Sequence, residues 1–290
     1  MSPRIAGAPI SWGVCEVPGW GHQLDAGRVL TEMAAVGIAA TEFGPDGFLP
    51  TDPAARRDLL AGHGLTAVGG FIPVVLHDPE RDPVAEVRAH LPAFLASGAD
   101  TVVLAAATGL DGYDERPALD AAGWRTLLGR LDELHGLAAE HGLTATLHPH
   151  VGTMIERPAE IWRVLDGSAV ALCLDTGHVL VGGGDPAEFA GKAADRIAHT
   201  HLKDVDAALA DRVRAGDIGY RDAVATGMYR PLGDGDAGIA EVLAALSAAG
   251  YAGWYVMEQD AVLTAEPEPG AGPLADVERS LAFVRAAVAR

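Results

Sequence analysis

The sequence predicts a (β/α)8 TIM barrel that forms one domain over residues 1–290. Eight short apolar runs, typical of parallel strands buried on both faces, recur along the chain. Amphipathic helical stretches separate most of these runs, and several of the stretches end in a glycine that a strand follows. Eight strands alternating with helices indicate a closed barrel. An open, doubly wound sheet shares the alternation, but it would normally carry a glycine-rich dinucleotide turn after an early strand.

The predicted elements follow one another in a regular order. The strands are expected near residues 4–10, 38–43, 65–71, 100–105, 143–148, 169–175, 196–202 and 252–258. Leucines at helical spacing and other amphipathic patterns predict helices over 124–139, 207–214, 241–248 and 276–289. The longest connection, 203–237, is expected to be functional, since long loops in compact domains usually are.

The chain is strongly acidic. It contains 40 Asp and Glu against 21 Lys and Arg, a formal net charge of −19 at pH 7. Such a field repels phosphate backbones, so we expect no nucleic-acid partner. We also expect no membrane span, because no stretch approaches the roughly 18 unbroken apolar residues that one needs. Two cysteines make no disulfide framework, and the first apolar run is too short for a signal peptide, which favours the cytoplasm.

Polar side chains are concentrated where the predicted strands end. In a (β/α)8 barrel the active site lies at the carboxyl ends of the strands. Five of the eleven histidines lie at three neighbouring strand ends. The chemistry-bearing residues at the strand ends are Glu42, His148, His150, Asp175, His178, His199, His201, Lys203 and Glu258. Because residues i and i+2 share a face of a strand, His148 points with His150, and His199 points with His201.

Imidazoles and carboxylates that converge from neighbouring strands are typical ligands of Mn²⁺, Co²⁺, Fe²⁺ or Zn²⁺. They do not suit Ca²⁺ or Mg²⁺, which prefer oxygen ligands. The alternative for any single histidine is a hydrogen-bonded side chain without a metal. That alternative is weak for the whole set, because burying several ionisable groups without a function is costly.

Further candidates for substrate binding lie in the predicted loops. Trp12 and Trp20 follow the first strand, where they either wall a sugar pocket or pack, and Trp12 is predicted to contact substrate. Lys203 is one of only two lysines, and its alternative is a surface salt bridge worth under about 1 kcal/mol. Arg230, in the long connection, is also predicted to bind substrate.

Six short segments resemble the inosose dehydratases, a family of the xylose-isomerase-like TIM barrels. They are 8–13, 41–44, 148–153, 175–178, 199–204 and 233–235. The Asp-Thr-Gly-His and His-x-His-x-x-Asp motifs among them are common to the superfamily, so they identify a metal site and not a reaction. The His-x-His-x-Gly-Thr segment is closer to the dehydratases, since isomerases and epimerases carry a glutamate there.

The resemblance implies roles for individual residues. The metal ligands that it implies are His148, Asp175, His201 and Glu258, with His148 in place of the usual glutamate. His150 stays open as an alternative to His148. His178 and Lys203 match substrate-contacting positions. The candidates for general acid and base are His150, His178, Lys203, Glu42 and Glu258, and the sequence does not divide the two roles among them.

The activity that the resemblance implies is that of a lyase of inositol catabolism, which removes water from a cyclic keto-polyol such as 2-keto-myo-inositol. It also implies Mn²⁺ or Co²⁺, with Zn²⁺ or Fe²⁺ as alternatives, and stimulation by glutathione. The reaction needs a base for the proton next to the ketone and an acid for the departing hydroxyl. An imidazolium can serve as that acid near neutral pH.

Three other functions fit the same residues. A keto-sugar isomerase or epimerase would use the same metal site and return the proton to carbon, but His148 replaces the second carboxylate that it needs. A nuclease resembling endonuclease IV is disfavoured by the negative charge. A metal-binding protein without catalysis is the third alternative. The sequence leaves the oligomeric state open, a homo-oligomer included.

Overall fold

Ten strands are present in the computed structural model, which describes residues 3–288. They are β1 (Arg4–Gly7), β2 (Ala40–Glu42), β3 (Thr66–Val74), β4 (Thr101–Ala106), β5 (Thr144–Leu147), β6 (Ala171–Asp175), β7 (Ile197–Leu202), β8 (Asp204–Val205), β9 (Tyr229–Arg230) and β10 (Trp254–Met257). All except β8 and β9 pair in parallel and form a closed barrel in chain order, with β10 beside β1. The predicted (β/α)8 barrel is therefore confirmed, and each predicted strand overlaps an observed one.

Eleven α-helices lie in the connections of residues 3–288. They are α1 (Ala26–Ala35), α2 (Pro53–Gly62), α3 (Pro83–Ser97), α4 (Ala121–Glu140), α5 (Pro158–Gly167), α6 (Thr176–Val181), α7 (Pro186–Lys192), α8 (Ala207–Ala215), α9 (Tyr220–Ala225), α10 (Ile239–Ala248) and α11 (Pro273–Val288). Seven of them begin after an aspartate whose side chain accepts hydrogen bonds from N–H groups of the first turn. These caps satisfy N–H groups that have no partner inside the helix, and so fix where the helices begin. None of the eleven combines the length and apolar character that a bilayer crossing requires.

The hydrophobic core lies between the barrel and its helices. All six residues of β4 are buried, as expected of a strand covered on both faces. Helix α4 packs on β5 and buries Leu127, Leu131 and Leu134. Fully burying one leucine side chain contributes roughly 1.5–3 kcal/mol. The four predicted helices are all present; residue 289, the predicted end of the last, lies outside the described residues.

The connection from β7 to β10 holds more structure than the sequence predicts. The expected helix at 207–214 is present as α8. It lies with α9 between the two strands of the antiparallel β8–β9 hairpin, and α10 follows that hairpin. Asp204 in β8 fixes the loop after the hairpin, since its carboxylate accepts hydrogen bonds from the N–H groups of Gly233, Gly235 and Ala237 at 2.8–3.0 Å. A Cβ on Gly235 would lie only 2.5 Å from Asp204 Oδ1, which explains the glycine. The connection carries Tyr220 and Tyr229 to the carboxyl end of the barrel.

Candidate active site

A cavity of about 250 Å³ opens at the carboxyl ends of the barrel strands. Its volume lies just below the range of about 300–1,000 Å³ that is usual for small-molecule sites, so it suits a single small ring. The cavity has an apolar wall that includes Ile10, Phe71 and Pro73. Its polar lining includes six residues that the sequence singles out: Glu42, His148, His150, His201, Lys203 and Glu258.

The predicted metal ligands lie close together and are fully or almost fully buried. Ligand atoms of Asp175, His201 and Glu258 lie within 4.8 Å of one another. His201 Nδ1 is 3.4 Å from Glu258 Oε2 and 3.7 Å from Asp175 Oδ2. His148 Nε2 is 3.2 Å from the same Asp175 oxygen. Asp175 turns that oxygen toward the cluster because its other oxygen caps α6 by accepting from His178 N at 2.7 Å.

The donor set fits a divalent metal ion. Two imidazoles and two carboxylates match the ligand preferences of Mn²⁺, Co²⁺, Fe²⁺ and Zn²⁺. The Nδ1 atoms of His148 and His201 are buried and have no hydrogen-bond partner, although buried imidazole nitrogens normally have one. A metal bound through His201 Nδ1 would remove that deficit at His201 and neutralise the buried carboxylates.

Glu42 lies behind His201 and determines how its ring is oriented. One Glu42 oxygen, Oε1, accepts hydrogen bonds from His199 Nε2 at 2.8 Å and from His201 Nε2 at 2.9 Å. These bonds leave His201 Nδ1 directed at Asp175 and Glu258. Burial acts to raise the pKa of Glu42, but the charge of His201 and the two hydrogen bonds outweigh it and hold the pKa far below its usual value. Glu42 is therefore ionised, and its Oε1 already accepts two hydrogen bonds. This suits a positioning role better than general base catalysis.

Lys203 is buried among acidic groups. Its ammonium lies 3.0 Å from Glu258 Oε2, 2.8 Å from Asp260 Oδ1 and 3.1 Å from His178 Nε2. Burial acts to lower the pKa of Lys203, but the carboxylates of Asp175, Asp260 and Glu258 raise it well above its usual value. The surface salt-bridge alternative for Lys203 is excluded, because only 4% of its side chain is exposed.

Three histidines of the cluster are neutral. Burial lowers the pKa of His148 to about 4 and holds the pKa values of His150 and His178 well below their usual range. The rings of His150 and His178 lie against each other with centroids 3.8 Å apart. His150 Nδ1 donates to Val151 O at 2.7 Å, so its Nε2 carries the free lone pair. The expectation of an imidazolium acid does not fit these three residues, because burial disfavours their charged forms.

Two predicted substrate contacts lie outside the cavity. Trp12 belongs to the 3-10 turn Pro9–Trp12, is completely buried, and donates from Nε1 to Glu32 Oε2 at 2.8 Å. The turn directs the ring toward α1, so Trp12 does not line the cavity in this structure, whereas Trp20 does. Arg230 is also placed elsewhere, because its guanidinium pairs with Asp206 at 2.9 Å and does not line the cavity.

Several residues of the cavity were missed by sequence reasoning. Asp260 follows Glu258 by two residues, and the alternation that paired the histidines could have identified it. Tyr220 donates from its hydroxyl to Asp260 Oδ2 at 2.9 Å. Tyr113 donates to Glu16 at 2.7 Å, which joins the loops after β4 and β1 across the mouth. Tyr113 lies in an irregular loop and Tyr220 begins the short helix α9, and at neither position does a local pattern indicate that the side chain reaches the site.

Comparison with known proteins agrees with this geometry. The model of the xylose isomerase-like TIM barrel family matches residues 30–287. The chain is 35% identical to the rhizopine catabolism protein MocC of Rhizobium meliloti, over 90% of this chain and 82% of that protein. It is 33% identical to the inosose dehydratase of Geobacillus kaustophilus, over 89% of this chain and 87% of that protein.

Among solved structures, the IolI protein with a bound zinc atom has the same fold. The two superpose with a TM-score of 0.71 at 14% sequence identity, over 99% of this chain and 98% of that chain. Taken together, the closed barrel and these matches assign the chain to the xylose isomerase-like TIM barrel family and, within it, to the family of the inosose dehydratases.

Proposed function

We propose that this protein is a hydro-lyase that removes water from a cyclic keto-polyol such as 2-keto-myo-inositol. The observation that carries the proposal is a buried cluster of histidines, carboxylates and one lysine at the base of a cavity sized for one ring. The relatives named inosose dehydratase, which match about nine tenths of the chain, support this reaction over others that the fold can host.

A divalent metal would be held by His148, Asp175, His201 and Glu258. We favour Mn²⁺ or Co²⁺, with Zn²⁺ or Fe²⁺ as alternatives, because the donor set mixes nitrogen and oxygen ligands. When bound there, such an ion supplies Lewis acidity that polarises the ketone of the substrate.

His150 is the residue that we assign as the general base. Its Nδ1 is occupied by the carbonyl of Val151 at 2.7 Å, and its other nitrogen is free to take a proton. Burial lowers the pKa of the ring, so the ring is unprotonated in the neutral range. A positioned base of this kind contributes about 10²–10⁴ in rate.

Lys203 supplies the positive charge nearest the reacting groups. The neighbouring carboxylates raise its pKa against the effect of burial, so it stays protonated throughout the neutral range. A fixed ammonium at the cavity wall stabilises the negative charge that develops on the departing hydroxyl, which leaves as water once it takes up the proton that His150 removed from carbon. His178 is neutral, and its Nε2 contacts the Lys203 ammonium at 3.1 Å.

An isomerase or epimerase would begin with the same removal of a proton from carbon but would complete the reaction differently. It must return a proton to carbon from a placed carboxylic acid. At the end of β5 this chain carries His148, and Glu42 is bound by two histidines. Two further carboxylates of the cavity wall, Glu258 and Asp260, both pair with Lys203. Elimination is therefore favoured over reprotonation.

The experiment that tests the function is a substrate panel read by mass spectrometry. Protein loaded with Mn²⁺ or Co²⁺ is incubated with 2-keto-myo-inositol, other cyclic keto-polyols and open-chain keto-sugars. We expect cyclic keto-polyols to lose one water and open-chain keto-sugars to be unchanged. Turnover of the keto-sugars without loss of mass would favour the isomerase alternative.

A further inference from the structure

Lys203 lies between two kinds of carboxylate. On one side its ammonium is 3.0 Å from Glu258 and 3.5 Å from Asp175, which belong to the candidate metal-binding set. On the other side it is 2.8 Å from Asp260. Within the described residues, Asp260 is in none of the clusters whose ligand atoms lie close enough to share an ion. The ammonium therefore contacts both candidate metal ligands and Asp260, which is not a candidate ligand.

Asp260 is held in a fixed orientation. It is buried, with 7% of its surface exposed. Tyr220 donates its hydroxyl to Asp260 Oδ2 at 2.9 Å, which leaves Oδ1 facing Lys203. Tyr220 is itself fixed, since its backbone N–H donates to Asp114 and its hydroxyl lies 2.9 Å from that of Tyr229. The loop that carries Asp260 and the connection after β7 therefore meet at this carboxylate.

A divalent cation and the lysine ammonium compete for the same oxygens. Both are attracted to Glu258 and Asp175, and like charges repel strongly in a buried site. A buried ammonium without a carboxylate partner is costly. For the metal to take both carboxylates, the ammonium must keep a partner outside the metal-binding set, and Asp260 is the carboxylate already in contact with it.

We propose that Asp260 is a positioning residue that gives the Lys203 ammonium a carboxylate partner outside the metal-binding set, so that a divalent cation can take Glu258 and Asp175 without leaving the ammonium unpaired. Tyr220 supports it by fixing the Asp260 carboxylate. This inference rests on the proposed metal site, but it concerns cation binding alone and does not depend on which substrate is turned over.

The test measures Mn²⁺ binding by isothermal titration, without substrate, in wild-type protein, Asp260→Asn, Lys203→Met and the double variant. We expect Asp260→Asn to weaken Mn²⁺ binding by about tenfold, because Glu258 and Asp175 are then the only carboxylates of the described residues that the ammonium contacts. In the Lys203→Met background the same change should have an effect at least about fivefold smaller, as expected of residues coupled in one network. Equal effects in both backgrounds would overturn the proposal, since Asp260 would then act only through its charge.

Two further variants separate orientation from charge. Tyr220→Phe keeps the charge of Asp260 but removes the bond that orients it, so Mn²⁺ binding should weaken in the same direction by a smaller factor. Asp46→Asn removes a carboxylate at the rim of the same cavity and should change binding by less than about twofold. A Tyr220→Phe variant with unchanged Mn²⁺ affinity, or wild-type protein that binds no Mn²⁺ here, would overturn the proposal.

Circular dichroism checks that each variant is folded. A failed dehydration assay would count against the proposed function alone, because Mn²⁺ binding is measured without substrate.

Discussion

His201 donates a hydrogen bond from Nε2 to Glu42 over 2.9 Å, and its Nδ1 faces the carboxylates of Asp175 and Glu258. A carboxylate that fixes the tautomer and ring orientation of a ligating histidine also raises its basicity. The groups come from the ends of β2, β6, β7 and β10, of which β6, β7 and β10 are neighbours in the barrel while β1 separates β2 from β10. The metal affinity of the site should therefore depend on a residue that does not touch the metal.

We expect Glu42→Gln to weaken Mn²⁺ binding by about 10–100-fold, because glutamine keeps the acceptor oxygen but loses the charge that makes His201 a strong ligand. Isothermal titration of the purified variant measures the effect. Glu16→Gln is the matched control: Glu16 lines the same cavity but binds Tyr113 and no histidine. Equal affinities for the two variants would contradict the positioning role of Glu42.

Lys203→Met should lower kcat by at least about 100-fold at saturating substrate, since the variant lacks the charge that stabilises the departing hydroxyl. It should also lower the free energy of unfolding of metal-free protein by about 3–5 kcal/mol, because buried carboxylates lose their partner. Lys192→Met is the control, as the other lysine is exposed and pairs with Glu188 on the surface. Wild-type turnover by Lys203→Met would refute the catalytic assignment.

The stability of metal-free protein should depend on pH through His148. Burial lowers the pKa of this residue from 6.5 to about 4, so the unfolded chain binds its proton more readily than the folded chain does. The contribution of neutral His148 to the free energy of unfolding is fully present above pH 6.5. It is lost as the pH falls toward 4, by roughly 3 kcal/mol in all. Urea titrations in the presence of a chelator should show a shallower loss between these pH values for His148→Gln than for wild type or His141→Gln. Parallel pH profiles for all three proteins would disagree with this cause.

Trp12→Phe should leave KM for the keto-polyol unchanged, because the ring lies outside the cavity. It should lower the free energy of unfolding by about 1–3 kcal/mol through loss of the buried bond to Glu32. Trp20→Phe should instead change KM, since Trp20 lines the cavity. Steady-state kinetics and urea unfolding of both variants measure the difference, and a raised KM for Trp12→Phe alone would restore the original assignment.

The barrel and the main site residues could be predicted because both follow from short-range patterns. Apolar strands, glycine-ended helices and the i, i+2 rule place His148, His150 and His201 at one end of the barrel. Trp12 was misplaced because the 3-10 turn that redirects its side chain leaves no apolar periodicity. Asp260 and Tyr220 become neighbours only when the β10 loop and α9 meet, a contact 40 residues apart. The neutral state of His150 could not be predicted either, since it depends on complete burial.

The central claim is that the bound keto-polyol loses water, and the most direct test is the product formed in D₂O. Wild-type protein loaded with Mn²⁺ or Co²⁺ is given 2-keto-myo-inositol, and the reaction is followed by ultraviolet absorbance and mass spectrometry. We expect new absorbance from a conjugated dione and a product that has lost one water, with no accumulation of an epimer. A product that keeps all its oxygen atoms and gains deuterium at carbon, without new absorbance, would contradict dehydration and identify an epimerase or isomerase.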